Sequence, residues 1–194
     1  MSTDSPTPRP TARERLLAAA AELFDARGIN VTGIDEIIER AGVAKASLYN
    51  NFSGKDDLVA AYLRAHLNRF DAAVERIERS PSTSTDRVGL LFQAMRRSAA
   101  RRNFAGCPFS RAAVEVPLDS PARPVIATFY QHLAQFFADA LGVERGSVAV
   151  RQLVVCYDGA MAGAKTSRDP TIVDAALALA RHVTGSALTD RPGR

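Results

Sequence analysis

Residues 34–52 read IDEIIERAGVAKASLYNNF, and this stretch decides the fold. Ile34, Ile37, Ile38 and Ala41 recur at the spacing of one helix face, which predicts a short helix after Thr32 that ends at Gly42. A second short helix runs from Lys45 to Asn51, with Leu48 as its inward anchor and Phe52 just beyond it. Ala41-Gly42-Val43-Ala44 joins the two. A three- to four-residue turn with glycine between short helices is the helix-turn-helix pattern. Such a turn holds the second helix proud of the domain, where it fits a major groove about 12 Å wide. With Leu48 and Phe52 turned inward, Lys45, Ala46, Ser47, Tyr49 and Asn50 face out. They offer a cation, hydroxyls, an amide and a methyl group, the chemistry of phosphate and base-edge contact. Lys45 and Lys55, two of the chain's three lysines, flank this helix. The spacing alone also fits a helical hairpin inside an ordinary bundle.

Outward from this stretch the helical pattern continues. Thr11-Ala12-Arg13-Glu14 fits a capping box, in which each side chain satisfies the other's orphan backbone N–H. Leu16, Leu17, Ala20, Leu23 and Phe24 follow as one apolar stripe, and Gly28 is expected to stop the helix as a left-handed cap. Gly54 breaks the chain, and a long helix is expected from about Asp56 to Arg79. After a linker from Ser80 to Thr85, helices are expected near 86–103, 109–115, 122–141, 147–167 and 171–187. Period-two alternation is absent, so the fold class is all-α, with about nine helices. Residues 1–10, rich in Ser, Thr and Pro, read as a disordered tail. Residues 11–57 read as a helix-turn-helix domain of short helices and tight turns and 58–187 as a domain of longer helices, with 188–194 a frayed end.

Composition narrows the function classes. The chain has 194 residues, 46% hydrophobic and 24% charged, which is ordinary for a soluble protein with a core. The longest stretch without a charged side chain, Pro124 to Ala138, has 15 residues, whereas a bilayer span needs about 20. No secretory leader is visible after Met1, so the cytoplasm and no membrane partner are expected. Cys107 and Cys156 form neither a disulfide framework nor a Cys-only metal cage. Cys107 precedes Pro108 at a helix start, where the dipole favours a thiolate, but an inert structural thiol is the simpler assignment. The net charge of +4 permits nucleic acid without demanding it. Arg96, Arg97, Arg101 and Arg102 fall at helical spacing, suited to an acidic partner or effector or to a solvated face. No nucleophile elbow, phosphate-cradling glycine loop or metal-ligand spacing appears, and His66, His132 and His182 are scattered. No cofactor and no catalytic residue is expected.

Residues 11–57 resemble the N-terminal DNA-binding domain of the TetR family of transcriptional repressors. The resemblance rests on Leu16, Ala20, Leu23, Phe24 and Gly28, then on Thr32, Ile37, Ala41, Gly42 and Val43. It continues through Ser47-Leu48-Tyr49-Asn50-Asn51-Phe52 and Lys55-Asp56-Asp57-Leu58. It implies that the helix from Lys45 is the recognition helix, with Lys45, Ala46 and Ser47 nearest the bases or their flanking phosphates. Tyr49 and Lys55 match phosphate-clamping positions, Thr32 matches a phosphate-contacting start of the second helix, and Asn50 matches a sequence-reading position. Ala44 departs from the Ser or Thr that relatives often carry, so the recognition helix lacks a side-chain N-cap worth about 1 kcal/mol.

The resemblance also implies a C-terminal effector pocket and a homodimer interface, in a regulator that an effector releases from a palindromic operator in double-stranded DNA. From Ile172 to Val183, nine of twelve residues are apolar and spread around the helix, which suggests burial by a partner. The expected interface is Val150, Val154, Gly159, Ala162, Gly163, Ile172, Val173, Ala176, Leu179, Ala180 and Val183. The expected pocket is Phe92, Met95, Phe109, Phe129, His132, Phe136, Tyr157 and Met161, suited to a small apolar or aromatic effector. Core packing explains each of these side chains singly as well. Action as an activator, or through a protein partner, is the alternative.

Overall fold

The computed structural model describes residues 9–189. Among them there are nine α-helices and no strand. Most of the expected tail over 1–10, and the end beyond 189, lie outside the described residues.

Helix α1 spans Ala12–Arg27 and begins at the expected capping box: Glu14 N–H donates to Thr11 Oγ1 at 3.2 Å, and Thr11 N–H to Glu14 Oε2 at 2.7 Å. Gly28 ends it with φ of +103° and ψ of 164°, a positive φ outside the left-handed helical well. A side chain there would be strained and would press a Cβ against the Glu115 carboxylate at 3.1 Å. Helix α2 is Ile34–Ala41 and α3 is Lys45–Asn51. Leu16, Phe24, Ile37, Leu48 and Phe52 are buried where α1, α2 and α3 meet, and Leu58 and Tyr62 close that core from below. They belong to α4, Lys55–Glu78, which runs on into the larger bundle.

The larger bundle comprises the rest of α4 with α5 (Ser84–Ala99), α6 (Pro108–Glu115), α7 (Ala122–Leu141), α8 (Val148–Ser167) and α9 (Ile172–Thr189). The main packings are α4 on α7, α5 on α9 and α8 on α9. Gly163 lets α8 and α9 close up, since a Cβ there would lie 2.8 Å from Ile172 Cγ2. Three boundaries differ from the sequence expectation. Helix α5 starts at Ser84 because Thr83 and Asp86 form a second capping box, which shortens the linker. It ends at Ala99, so Arg101 and Arg102 lie in the turn beyond it rather than on a helical stripe. Helix α9 carries on to Thr189, beyond the expected end at 187.

Candidate nucleic-acid interface

Helix α3 is held by Leu48, which is fully buried, and by Phe52 beneath its end. No side chain caps its start at Ala44, as the sequence implies. The opposite face carries Lys45, Ala46, Tyr49 and Asn50, all exposed, with Ser47 half-buried between them. Tyr49 is 53% exposed, unusual for a large ring with no pocket to enter. Lys45 is not idle: its Nζ lies 2.9 Å from Asp35 Oδ1, and that bond raises its pKa. Lys55, at the first turn of α4, donates to the Asn30 carbonyl at 3.4 Å. These groups share one convex end of the molecule.

Thr32 does not join them. It is 1% exposed, and its hydroxyl donates to the Gly28 carbonyl at 2.7 Å. Gly33, not Thr32, is the N-cap of α2. Thr32 therefore ties down the α1–α2 turn, and its hydroxyl is not presented at this face. Sequence alone could not separate the two threonine roles, because the helix begins one residue later than the pattern suggests.

The expected pocket residues divide. Phe109, Phe129, Tyr157 and Met161 line one cavity of about 280 Å³. Phe109 and Phe129 stack with ring centroids 3.9 Å apart, and Phe70 meets Phe129 edge-on at 5.1 Å. Phe92 and Met95 instead pack in the core and do not reach this cavity. His132 and Phe136 line a separate shallow groove between α4 and α7, where His132 Nδ1 sits 2.8 Å from Asp71. The sequence reading missed His66, Arg69, Phe70, Asn103 and Phe104, which also line it, and Arg101, read only as suited to an acidic partner or effector or to a solvated face, lies there too. His66 and Phe70 stand four apart on α4, a spacing that places them on one face.

His66 sets the polarity at the cavity's edge. Its Nε2 is buried and has no hydrogen-bond partner. Burial, reinforced by the Arg69 charge, pulls its pKa down to about 4. The unfolded chain, with a histidine near 6.5, thus binds more protons between pH 6.5 and 4, and stability must fall as the pH drops through that window. Thermal unfolding followed across that range should show a falling midpoint, and His66→Gln should flatten the dependence.

Helix α6 joins the cavity to the helix-turn-helix unit. Phe109 faces the cavity, while Arg111 Nη2 donates to the Phe24 carbonyl at 2.9 Å. Glu115 Oε2 accepts the Asn30 N–H at 2.9 Å. One eight-residue helix thus touches both, and Arg111 adds a second donor to the Phe24 carbonyl, which also accepts the Gly28 N–H. Cys107 at the start of α6 is buried, and burial pushes its thiol pKa up, opposite to the dipole's effect. This favours the inert thiol.

The residues expected at the dimer face divide between the chain's own core and its surface. Val150, Val173, Ala176 and Ala180 are buried within the chain itself. Periodicity could not tell the two apolar sides of α8 and α9 apart. Gly159, Ala162 and Leu179 are exposed, and Val154, Gly163, Ile172 and Val183 are half-buried. An exposed groove lies between α8 and α9, lined by Val148, Val155, Cys156, Leu179 and Val183 with Arg151, Gln152 and His182. Val155 is 70% and Leu179 63% exposed. No helix among the described residues is long and apolar enough to cross a membrane.

Comparison with known proteins follows the same lines. A family model described as bacterial regulatory proteins, tetR family, matches residues 16–62. The chain is 38% identical over 87 residues to the transcriptional activator FasR of Mycolicibacterium smegmatis, covering 45% of this chain and 40% of that protein. It is 30% identical over 94 residues to the transcriptional repressor KstR2 of the same organism, covering 48% of this chain and 46% of that protein. These matches span less than half the length of either relative. A crystal structure of a TetR-family transcriptional regulator from Streptomyces coelicolor superposes with a TM-score of 0.81 at 30% identity, covering 92% of this chain and 95% of that one.

Proposed function

The chain belongs to the TetR family of transcriptional regulators, and from that premise we propose a homodimeric, effector-controlled repressor. The observation that carries this reading is the outward face of α3, where exposed polar groups ride on a helix locked by a buried leucine. Residues 11–57 act as the DNA-binding domain and 58–187 as the effector and dimerisation domain. Ala46, Ser47 and Asn50 approach base edges, while Lys45, Tyr49 and Lys55 hold phosphates. Lys45 exchanges Asp35 for a phosphate on binding, a swap between two oxyanions that costs little at an exposed site.

The α8–α9 groove supports pairing with a second copy, since large exposed apolar groups clustered at one place call for cover. Two copies place two recognition helices about one DNA turn apart. The cavity behind Phe109 takes the effector. Its occupation shifts α6, and Arg111 and Glu115 carry the shift to the end of α1 and the turn after it. A coupling of about 1–3 kcal/mol is enough to release the operator. Repression fits steric block of a promoter; the named relatives include both an activator and a repressor.

Titration of labelled duplexes of differing sequence tests the contact roles. Tyr49→Phe and Lys55→Ala should weaken every duplex alike, whereas Asn50→Ala should also change the ranking among sequences. Equal losses on all sequences for all three variants would remove Asn50 as a reader.

A further inference from the structure

Arg101 and Arg102 are left unexplained by the reading so far. They line an open cleft of about 830 Å³ together with Lys165 and Arg168 at the end of α8. The facing wall is α1, which contributes Glu22 and Asp25. Both acids already have partners: Glu22 lies 3.5 Å from Arg40, and Asp25 accepts the Tyr62 hydroxyl at 2.5 Å. Lys165 donates to the Phe104 carbonyl at 3.2 Å. Among the described residues, no carboxylate lies within ion-pair distance of Arg101, Arg102 or Arg168. Arg96, by contrast, is 3.0 Å from Asp174. The cleft shares Asp25, Arg101, Asn103 and Phe104 with the aromatic cavity, so an arginine-lined chamber adjoins one walled in part by Phe109, Phe129 and Tyr157.

We infer that the effector is an amphipathic anion, with its apolar or aromatic body among Phe109, Phe129 and Tyr157 and its oxyanion head held by Arg101, Arg102 and Arg168. This rests on the reading of the cavity as the effector site, and adds the ligand's chemical class. A guanidinium presents a planar fork of donors that matches carboxylate, sulfonate or phosphate oxygens, and cations gathered in a concave site concentrate anions there. The head also sits against α1, so a bound ligand bridges the helix-turn-helix unit and the larger bundle. The simpler role for these arginines, complementing the carbonyl ends of α5 and α8, accounts for each one singly but not for their gathering around one cleft continuous with the aromatic cavity.

Two dyes with nearly the same body separate the terms: 1-anilinonaphthalene-8-sulfonate, which carries an anion, and N-phenyl-1-naphthylamine, which does not. Fluorescence titration of the full chain should show the sulfonate binding at least about tenfold more tightly, the scale of a few charge-assisted hydrogen bonds. The double variant Arg102→Gln with Arg168→Gln, at residues that line the cleft but not the aromatic cavity, should remove that advantage and leave the neutral dye's affinity unchanged. Displacement of the sulfonate by dodecanoate or by dodecyl phosphate then identifies the oxyanion that the cleft takes. Equal affinities for the two dyes, an unchanged advantage in the double variant, or displacement by neither amphiphile overturns the inference. Dye binding is read without DNA, so its failure leaves the DNA-binding reading standing. A chain that binds the dye but no duplex fails that reading alone.

Discussion

Ala46→Glu should reduce duplex affinity at least a hundredfold, with no loss of folding stability. Ala46 is exposed in the first turn of α3, beside Lys45 and Ser47. That turn contains no acidic residue and no side-chain cap. A carboxylate there faces the positive end of the helix dipole, so it helps the free protein by about 0.3–1 kcal/mol. Against DNA the same carboxylate meets phosphates and acceptor-rich base edges, and a like-charge juxtaposition at an interface costs several kcal/mol. The two effects have opposite signs, which separates a binding defect from a folding defect. Anisotropy titration at about 150 mM salt, paired with thermal unfolding, reads both. Undiminished affinity would mean that the start of α3 does not enter the groove.

Leu179→Glu combined with Val155→Glu should convert a dimer to a monomer and cost DNA affinity by a similar or larger factor. Both side chains are more than half exposed in the single chain, so the substitution leaves its core intact. If the α8–α9 groove is the dimer face, each copy instead buries two unpaired carboxylates, at a cost of several kcal/mol per ion. Losing the partner removes the second recognition helix, whose binding is intramolecular once the first is seated, and avidity of this kind is worth about 10²–10⁴. Sedimentation equilibrium gives the assembly state and anisotropy the affinity. A double variant that still sediments as a dimer would move the interface elsewhere on the molecule.

The fold was largely legible because local chemistry marks each helix boundary. The Thr11 capping box, the glycines at 28, 42 and 142 and the proline at 108 stand at helix ends in the structure, as their chemistry requires. Helix α5 was misplaced because Thr83 and Asp86, a capping pair, lay inside a run of serine and threonine that reads as linker. Residues on the outer face of α3 were legible because one buried leucine fixes the helix's rotation. The cavity was less so. Its lining comes from α1, α4, α5, α6, α7 and α8 and the turn before α6, and periodicity within one helix says nothing about which neighbour it meets. The residues expected at the dimer face divide for a related reason: α8 and α9 are apolar on more than one side, and only packing decides which side the chain itself uses.

Selection of bound duplexes from a random DNA pool at near-physiological salt tests the central claim most directly. The protein should be unfolded, stripped and refolded first, so that no carried-over ligand holds a non-binding state. The predicted result is an enriched palindrome whose half-sites lie about one helical turn apart, roughly 34 Å. A refolded, dimeric protein that enriches no sequence would contradict the assignment of α3 as a recognition helix.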